Sequence, residues 1–332
     1  MERSEIRRLL LVLFLGQFVS LTLAVASFTS SLLASLGVDA PLSQSFLCYA
    51  SLGLVYGGFL LFRRRKLLVP WYWYVILAFI DVQGNYLVIK AYQFSSITSV
   101  TLLDCWTIVW VIILTRIFLR TKYSLWQILA AVTCVLGLGL VLLSDAWADV
   151  GGGKSPLLGD ALVIAGTLFY AFSNVGEEFC VKKKDLMEVL AMLGVFGAVV
   201  SICEIAIFEG KSLEAVKWSS TIILLFVAFA TASFLFYTIV PLVLKMSGAT
   251  IFNLSLLTSD MWAIIIRVFF YKQKVDWLYY LSFGVVTIGI IIYSLNETNS
   301  EPARAVEDGN MSIRYEPLNQ ENLAVGAEIL AN

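Results

Sequence analysis

The chain has 332 residues, of which 59% are hydrophobic and only 14% are charged. Soluble domains of this size are about 45–50% apolar and about 25% charged, and a water-soluble fold could not bury this much apolar surface. The 23 Lys and Arg residues balance 24 Asp and Glu residues, which leaves no basic surface for nucleic acid. The composition therefore excludes ordinary soluble enzymes and nucleic-acid-binding proteins and predicts a polytopic membrane protein.

Histidine is absent, and the five cysteines stand singly in apolar stretches without a Cys-x-x-Cys pair. Imidazole is therefore not available as a metal ligand or general base, and neither a zinc site nor a disulfide framework is indicated. We expect no cofactor and no metal, and any proton chemistry falls to carboxylates.

The apolar stretches are long enough to cross a membrane. A helix that spans about 30 Å of hydrocarbon needs about 20 mostly apolar residues. Ten stretches meet this requirement in chain order: 9–29, 42–62, 71–91, 97–117, 124–144, 157–177, 187–208, 220–244, 250–271 and 277–295. The first follows Arg7 and Arg8 directly and lacks a clean cleavage site, so we interpret it as a retained helix and not as a signal peptide.

The loop 145–156 divides the ten predicted spans into two groups of five. We therefore divide the chain into an N-terminal segment 1–8, a first five-helix repeat 9–144, the connecting loop, a second repeat 157–295 and a polar tail 296–332. The tail contains Pro302, Pro317 and many Asn and Glu residues, and we expect it to be disordered.

Basic residues predict the orientation. Sixteen of the 23 Lys and Arg residues fall on the side of the N-terminus and five on the opposite side, while Lys90 and Arg267 lie within spans. Because Lys and Arg concentrate in cytosolic loops, we expect an integral multi-pass protein of the plasma membrane or an endomembrane with both termini in the cytosol. The second half then enters the bilayer from the opposite side, which is the inverted-repeat plan of many secondary transporters.

Several polar side chains lie inside the predicted spans. A charge at the centre of a membrane helix costs about 2.5–3.5 kcal/mol on insertion scales, so such residues are functional candidates. Asp81 lies mid-span and shares a helix face with Asn85 four residues later, which makes Asp81 the strongest candidate. The other candidates are Lys90 in the third span, Asp104 in the fourth, Asn174 and Glu177 in the sixth, Tyr237 in the eighth, and Asn253 and Asp260 in the ninth.

Some of these candidates have structural alternatives. Lys90 lies near the membrane edge and could extend its amine to the interface, and Asp104 could be its ion-pair partner. Asp260 and Arg267 could pair with each other. Glu178 stands near the basic cluster 182–184, so we expect it at a solvated helix end.

Three stretches resemble one family. They are the sequence from Asp81 to Cys105, the sequence from Tyr170 to Phe179, and the sequence that begins at Phe226 and continues through Pro241 to Asp260. Over about 5–295, the chain resembles solute carrier family 35, subfamily F.

The resemblance implies the fold of the drug/metabolite transporter superfamily, with ten transmembrane helices in two inverted five-helix repeats. It implies alternating-access transport of a small organic solute that is nucleobase-, nucleoside- or vitamin-like. It also implies a cavity lined by nine polar residues: Asp81, Asn85, Lys90, Asp104, Asn174, Glu177, Tyr237, Asn253 and Asp260.

Other functions stay open at this point. A nucleotide-sugar exchanger of the Golgi or endoplasmic reticulum would need cations that face a diphosphate, and only Lys90 and Arg267 lie within spans. An intramembrane aspartyl protease would pair Asp104 with Asp260, but neither stands in a Tyr-Asp or Gly-x-Gly-Asp sequence. A non-transporting receptor or scaffold is a further alternative. We expect no enzyme activity. The expected partners are a small-molecule solute and the lipid bilayer. A proton is the candidate coupling ion, and a homodimer is the candidate assembly.

Overall fold

Long apolar sequences form helices in lipid, because a helix satisfies every backbone N–H and C=O group without water. A computed structural model of the chain describes residues 3–63, 70–94, 100, 103–104, 106–148, 156–183, 186–259, 262 and 277–297. These ranges consist of helices and the turns that connect them. All of them lie within one compact unit, Met1–Glu301, whereas the predicted polar tail lies almost wholly outside the described residues.

Most helices of the described ranges overlap a predicted span. The helices are α1 (Arg3–Ser35), α2 (Pro41–Leu52), α3 (Gly58–Arg63), α4 (Trp71–Ala91), α5 (Trp106–Phe118), α6 (Leu125–Ala148), α7 (Pro156–Lys183), α8 (Leu186–Glu204), α9 (Gly210–Ala215), α10 (Ser220–Leu256) and α11 (Trp277–Glu297). Two single π-helical turns, Gly53–Gly57 and Ile205–Glu209, join α2 to α3 and α8 to α9.

Six helical segments of the described chain are long and apolar enough to cross a bilayer: Leu10–Ser35, Pro41–Phe62, Trp71–Ala91, Leu158–Lys182, Leu186–Ala215 and Ser220–Leu256. Three shorter apolar segments accompany them: Trp106–Phe118, Leu125–Gly137 and Gly284–Tyr293. The prediction of an all-helical, multi-pass membrane protein is thereby confirmed. The arrangement of ten helices as two inverted repeats stays a prediction.

The eighth and ninth predicted spans meet inside α10. The helix is interrupted at Gly248, whose φ of 83° and ψ of 170° are not helical, so α10 consists of two helical segments joined at this glycine. The second segment is described as far as Ser259, and most of the rest of the ninth predicted span lies outside the described residues.

Contacts between helix ends define two ends of the bundle. At the near end, the Tyr74 hydroxyl at the start of α4 donates to Glu188 at the start of α8 over 2.9 Å. At the far end, Lys90 at the end of α4 forms an ion pair with Asp39, which lies between α1 and α2. Gln93 also donates to the Val38 carbonyl there, over 2.9 Å. Since α1 ends at the far end, it begins at the near end.

The largest core cluster of the described residues joins seven helices: α1, α2, α4, α5, α7, α8 and α10. It includes Leu52 of α2, Val82 of α4, Val175 of α7, Leu190 of α8 and Val243 of α10, all of them buried. This apolar packing holds the middle of α2, α4, α7 and α10 against one another and brings their few polar side chains together.

Candidate functional site

Asp81, at the centre of α4, is the focus of a buried polar cluster. Its Oδ2 accepts hydrogen bonds from the Tyr49 hydroxyl of α2 and the Tyr237 hydroxyl of α10, each over 2.6 Å. Its Oδ1 accepts a third from the Ser173 hydroxyl of α7 over 2.8 Å. The side chain is only 4% exposed. Three hydroxyl donors stabilise a buried carboxylate and here tie together four helices.

Asn85 extends the cluster by one helical turn. Its Nδ2 donates to the Tyr49 hydroxyl over 2.7 Å and to the Tyr237 hydroxyl over 2.6 Å, while its Oδ1 accepts from Tyr170 over 3.2 Å. The Tyr170 ring reaches this position because residue 84 is glycine. A Cβ atom on Gly84 would lie 2.8 Å from the ring.

A second polar layer lies on α7 and on the segment of α10 after Gly248. The Asn174 Nδ2 donates to the Asn253 Oδ1 over 3.1 Å, and the Asn253 Nδ2 donates to the Ala249 carbonyl over 2.7 Å. Glu177 lies one turn beyond Asn174, is 2% exposed, and its Oε1 has no hydrogen-bond partner. A buried carboxyl oxygen without a hydrogen-bond donor is energetically costly.

One cavity joins the two layers. It lies between α1, α4, α5, α7 and α10, and its wall runs from Ser30 and Tyr92, near the far end, to Glu177. Seven of the nine predicted site residues line it: Asp81, Asn85, Asp104, Asn174, Glu177, Tyr237 and Asn253. The charged side chains among the described lining residues are all acidic.

The remaining two predicted residues are placed otherwise. Lys90 is not among the lining residues and pairs with Asp39 at the far end, so it is not the partner of Asp104. Asp104 lies near the Thr107 hydroxyl, at 3.5 Å. Asp260, with its suggested partner Arg267, lies outside the described residues.

The expectation that Glu178 lies at a solvated helix end is wrong. Glu178 is 4% exposed. Its Oε2 accepts from the Ala249 backbone N–H over 2.7 Å, and its Oε1 pairs with Lys182. The break at Gly248 leaves this N–H at the start of a helical segment, where a carboxylate is favourable. We refer to the contact between Glu178 and Ala249 as the near-end latch.

A corresponding contact lies at the far end. The Glu209 carboxylate accepts from the backbone N–H groups of Leu42, over 2.5 Å, and Ser43, over 2.9 Å, and from the Ser43 hydroxyl over 2.6 Å. These are the first residues of α2, whose own N-cap, Ala40, offers no side-chain acceptor. We refer to this contact as the far-end latch.

The sequence interpretation missed Tyr49, Ser173 and Glu209. Tyr49 could have been found as a hydroxyl well inside an apolar span. Glu209 could have been found as a carboxylate just beyond the seventh predicted span. In the part of the chain that the structure describes, no group of three or more His, Cys, Asp and Glu residues is arranged to hold a metal ion.

Comparison with known proteins identifies the family. The family model of solute carrier family 35, of the SLC35F type, matches residues 5–295. Solute carrier family 35 member F2 of Mus musculus is 38% identical over 331 residues, which cover 94% of this chain and 86% of the relative. The protein of the same name from Xenopus tropicalis is 35% identical over 305 residues, 88% of this chain and 78% of the relative.

Two further similarities extend this result. An uncharacterized solute carrier family 35 member of Schizosaccharomyces pombe is 36% identical over 294 residues, which cover 86% of this chain but 58% of the yeast relative's own length. A solved crystal structure with 16% sequence identity superposes with a TM-score of 0.68 and covers 88% of this chain and 98% of that chain, which supports the fold alone. The chain therefore belongs to solute carrier family 35 and is a multi-pass membrane transporter of small molecules.

Proposed function

We propose that the chain is a secondary transporter that moves a small organic solute by alternating access through the cavity between α1, α4, α5, α7 and α10. The observation that carries this proposal is the cluster at Asp81, where hydroxyl and amide groups from four helices converge on one buried carboxylate beside a cavity. Interior polar groups in membrane helices mark substrate pathways.

The two latches support the alternation. Each consists of a buried carboxylate on the N-terminus of a helical segment, one at either end of the bundle. Charge–helix contacts of this kind are worth about 0.3–2 kcal/mol. Each hydrogen bond to a buried carboxylate adds about 1.5–3 kcal/mol, and solute binding supplies this free energy when one end opens while the other stays latched.

The cavity chemistry favours solutes rich in N–H donors. Asp81, Asp104 and Glu177 offer acceptors, and the amides Asn85, Asn174 and Asn253 offer both donors and acceptors. Planar nucleobase-, nucleoside- or vitamin-like solutes match this combination together with the Tyr170 and Tyr237 rings. A nucleotide sugar fits less well, because its diphosphate would face acidic side chains.

The helix arrangement and membrane orientation that we propose are those predicted from the sequence. Ten helices form two inverted five-helix repeats, both termini lie in the cytosol, and the near end is the cytosolic end. The cavity residues come from both halves, since Asp81 and Asn85 precede the connecting loop and Glu177 and Tyr237 follow it.

Uptake into proteoliposomes tests the function. The purified chain is reconstituted, and uptake of radiolabelled nucleobases, nucleosides, water-soluble vitamins and a nucleotide sugar is compared with that of an Asp81→Asn protein reconstituted at the same density. We expect saturable uptake of at least one nitrogen-rich solute by the native chain only. Uptake of the nucleotide sugar alone, or no uptake of any class, would contradict the proposal, and the second result would favour a scaffold or receptor.

A further inference from the structure

The two buried carboxyl groups of the cavity differ in one respect. Both oxygens of Asp81 accept hydrogen bonds, from Tyr49, Tyr237 and Ser173. Glu177 is at least as buried, yet its Oε1 accepts none. The protein thus provides donors that stabilise an ionised Asp81 and leaves one oxygen of Glu177 without such stabilisation.

An ionised oxygen in this position would be very unfavourable. Burial of an isolated carboxylate costs far more than the addition of a proton to it. In the empty cavity, a proton on Glu177 removes the charge and supplies an O–H donor. A solute N–H group at the carboxyl would bind the ionised form more strongly than the protonated form, so solute binding favours release of the proton and proton binding opposes the solute.

The groups around Glu177 reinforce this competition. Asp81 on α4 and Asp104 next to α5 are acidic residues that line the same cavity as Glu177. Tyr237 of α10 also lines this cavity, Cys180 lies three residues after Glu177 on α7, and Glu188 on α8 accepts a hydrogen bond from Tyr74. Lys90 of α4 pairs with Asp39, Lys182 of α7 pairs with Glu178, and Arg116 and Lys245 are exposed, so these basic residues of the described helices lie elsewhere.

From this arrangement we infer that Glu177 is a proton-binding site and that the solute displaces its proton, so that transport is solute/proton exchange. The inference rests on the proposed function. When the cavity opens to one side, a proton leaves Oε1 for the water on that side as a solute N–H group takes its place. On the opposite side, the solute leaves and water returns a proton. One proton therefore crosses in the direction opposite to each solute.

Infrared spectroscopy tests the proton site without any solute. Purified protein in lipid vesicles is titrated with acid and base, and the C=O stretching band of protonated carboxyl groups is recorded. We expect the native protein to show a band that is absent from the Glu177→Gln protein and present in the Glu178→Gln protein. Glu178 is the matched control, because its carboxylate is also buried but is fully hydrogen-bonded. A band that persists unchanged in Glu177→Gln would overturn the inference, as would its absence from the native protein.

Transport measurements test the exchange. With a solute that the native protein transports, uptake driven by a pH gradient is compared with solute–solute counterflow at equal pH on both sides. Because a solute N–H group contacts the Glu177 carboxyl in this scheme, we expect Glu177→Gln to raise the solute concentration that gives half-maximal counterflow and, at saturating solute, to lose the response to the pH gradient. Retention of the pH response at saturating solute would exclude Glu177 as the proton site. If the native protein transports none of the solutes, the proposed function fails, whereas the infrared titration still decides whether Glu177 binds a proton.

Discussion

The Glu178 carboxylate accepts a hydrogen bond of 2.7 Å from the Ala249 backbone N–H and so connects the end of α7 to the segment of α10 that begins after Gly248. Glu177, the preceding residue, faces the cavity. Two consecutive carboxylates of α7 therefore have different positions: Glu177 lines the cavity, and Glu178 forms the near-end latch. A shift of α7 that accompanies solute binding at Glu177 would act directly on the latch.

Neutralisation of Glu178 is expected to loosen the near end. The substitution Glu178→Gln removes the charge from the helix N-terminus and the ion pair with Lys182, a loss of about 1 kcal/mol, or about fivefold in the closed-to-open ratio. We expect a cysteine introduced at Thr250, which is buried beside the latch, to react about fivefold faster with a membrane-impermeant maleimide from the near-end side. The native cysteines are replaced by serine in this experiment. Glu214→Gln, on the exposed side of α9, is the control, and an equal rate in both variants would contradict the role of the latch.

Gly248 is expected to tolerate no side chain. Its φ of 83° and ψ of 170° belong to a region that is essentially restricted to glycine, and a Cβ atom there would lie 2.8 Å from the Glu178 Oε1. We expect Gly248→Ala to lower the stability of the solubilised protein by about 1–3 kcal/mol. Thermal unfolding of purified protein measures the effect. Gly210→Ala is the matched control, because no atom lies within 4 Å of the Cβ it would add and its φ is not positive. Equal unfolding midpoints for the two variants would exclude strain at Gly248.

Asp81→Asn is expected to abolish transport without preventing folding. Asparagine has the same size but replaces a charged acceptor with a neutral amide, so the hydrogen bonds of the Tyr49 and Tyr237 hydroxyls are each weakened by about 1 kcal/mol. Tyr49→Phe removes one of these bonds and should reduce uptake by about tenfold. Uptake is measured at equal surface density. Full transport by Asp81→Asn would show that the cluster does not form the solute site.

Lys90 is expected to be dispensable for solute binding. It pairs with Asp39 at the far end, where the two side chains are 23% and 39% exposed, and such partly exposed pairs contribute about 0–1 kcal/mol. We expect Lys90→Gln to keep the affinity for the solute within about twofold. The concentration dependence of uptake measures this. A large loss of affinity at unchanged expression would show instead that Lys90 contributes to solute binding.

Helix positions could be predicted from the sequence because the length and apolarity of a membrane helix are set by the bilayer alone. The shared face of Asp81 and Asn85 could also be predicted, since helical periodicity fixes it. The same cavity is lined by five further predicted residues: Asp104, Asn174, Glu177, Tyr237 and Asn253. Polar side chains of membrane helices avoid lipid and face the interior of the bundle, so they collect around one cavity.

Pairings between distant segments could not be predicted in the same way. The partner of Lys90 is Asp39, in a connection outside any apolar stretch, and the donors to Asp81 include Tyr49 and Ser173, which periodicity does not single out. Glu178 looked solvated because of its basic neighbours. It is buried because Gly248 interrupts α10 beside it and leaves a backbone N–H to be capped. These features depend on how helices pack, which local sequence does not specify.

Access to the cavity from both sides of the membrane is the central claim, and labelling of a cavity residue tests it most directly. Ser233, which lines the cavity, is changed to Cys in a protein without its native cysteines, and Leu224→Cys, on the exposed surface of the same helix, is the control. Impermeant maleimide is added to either side of sealed vesicles that contain oriented protein. The account predicts that the Ser233→Cys protein is labelled from each side in turn, and faster than the Leu224→Cys protein. Labelling of the Ser233→Cys protein from one side only, or from neither, would contradict it.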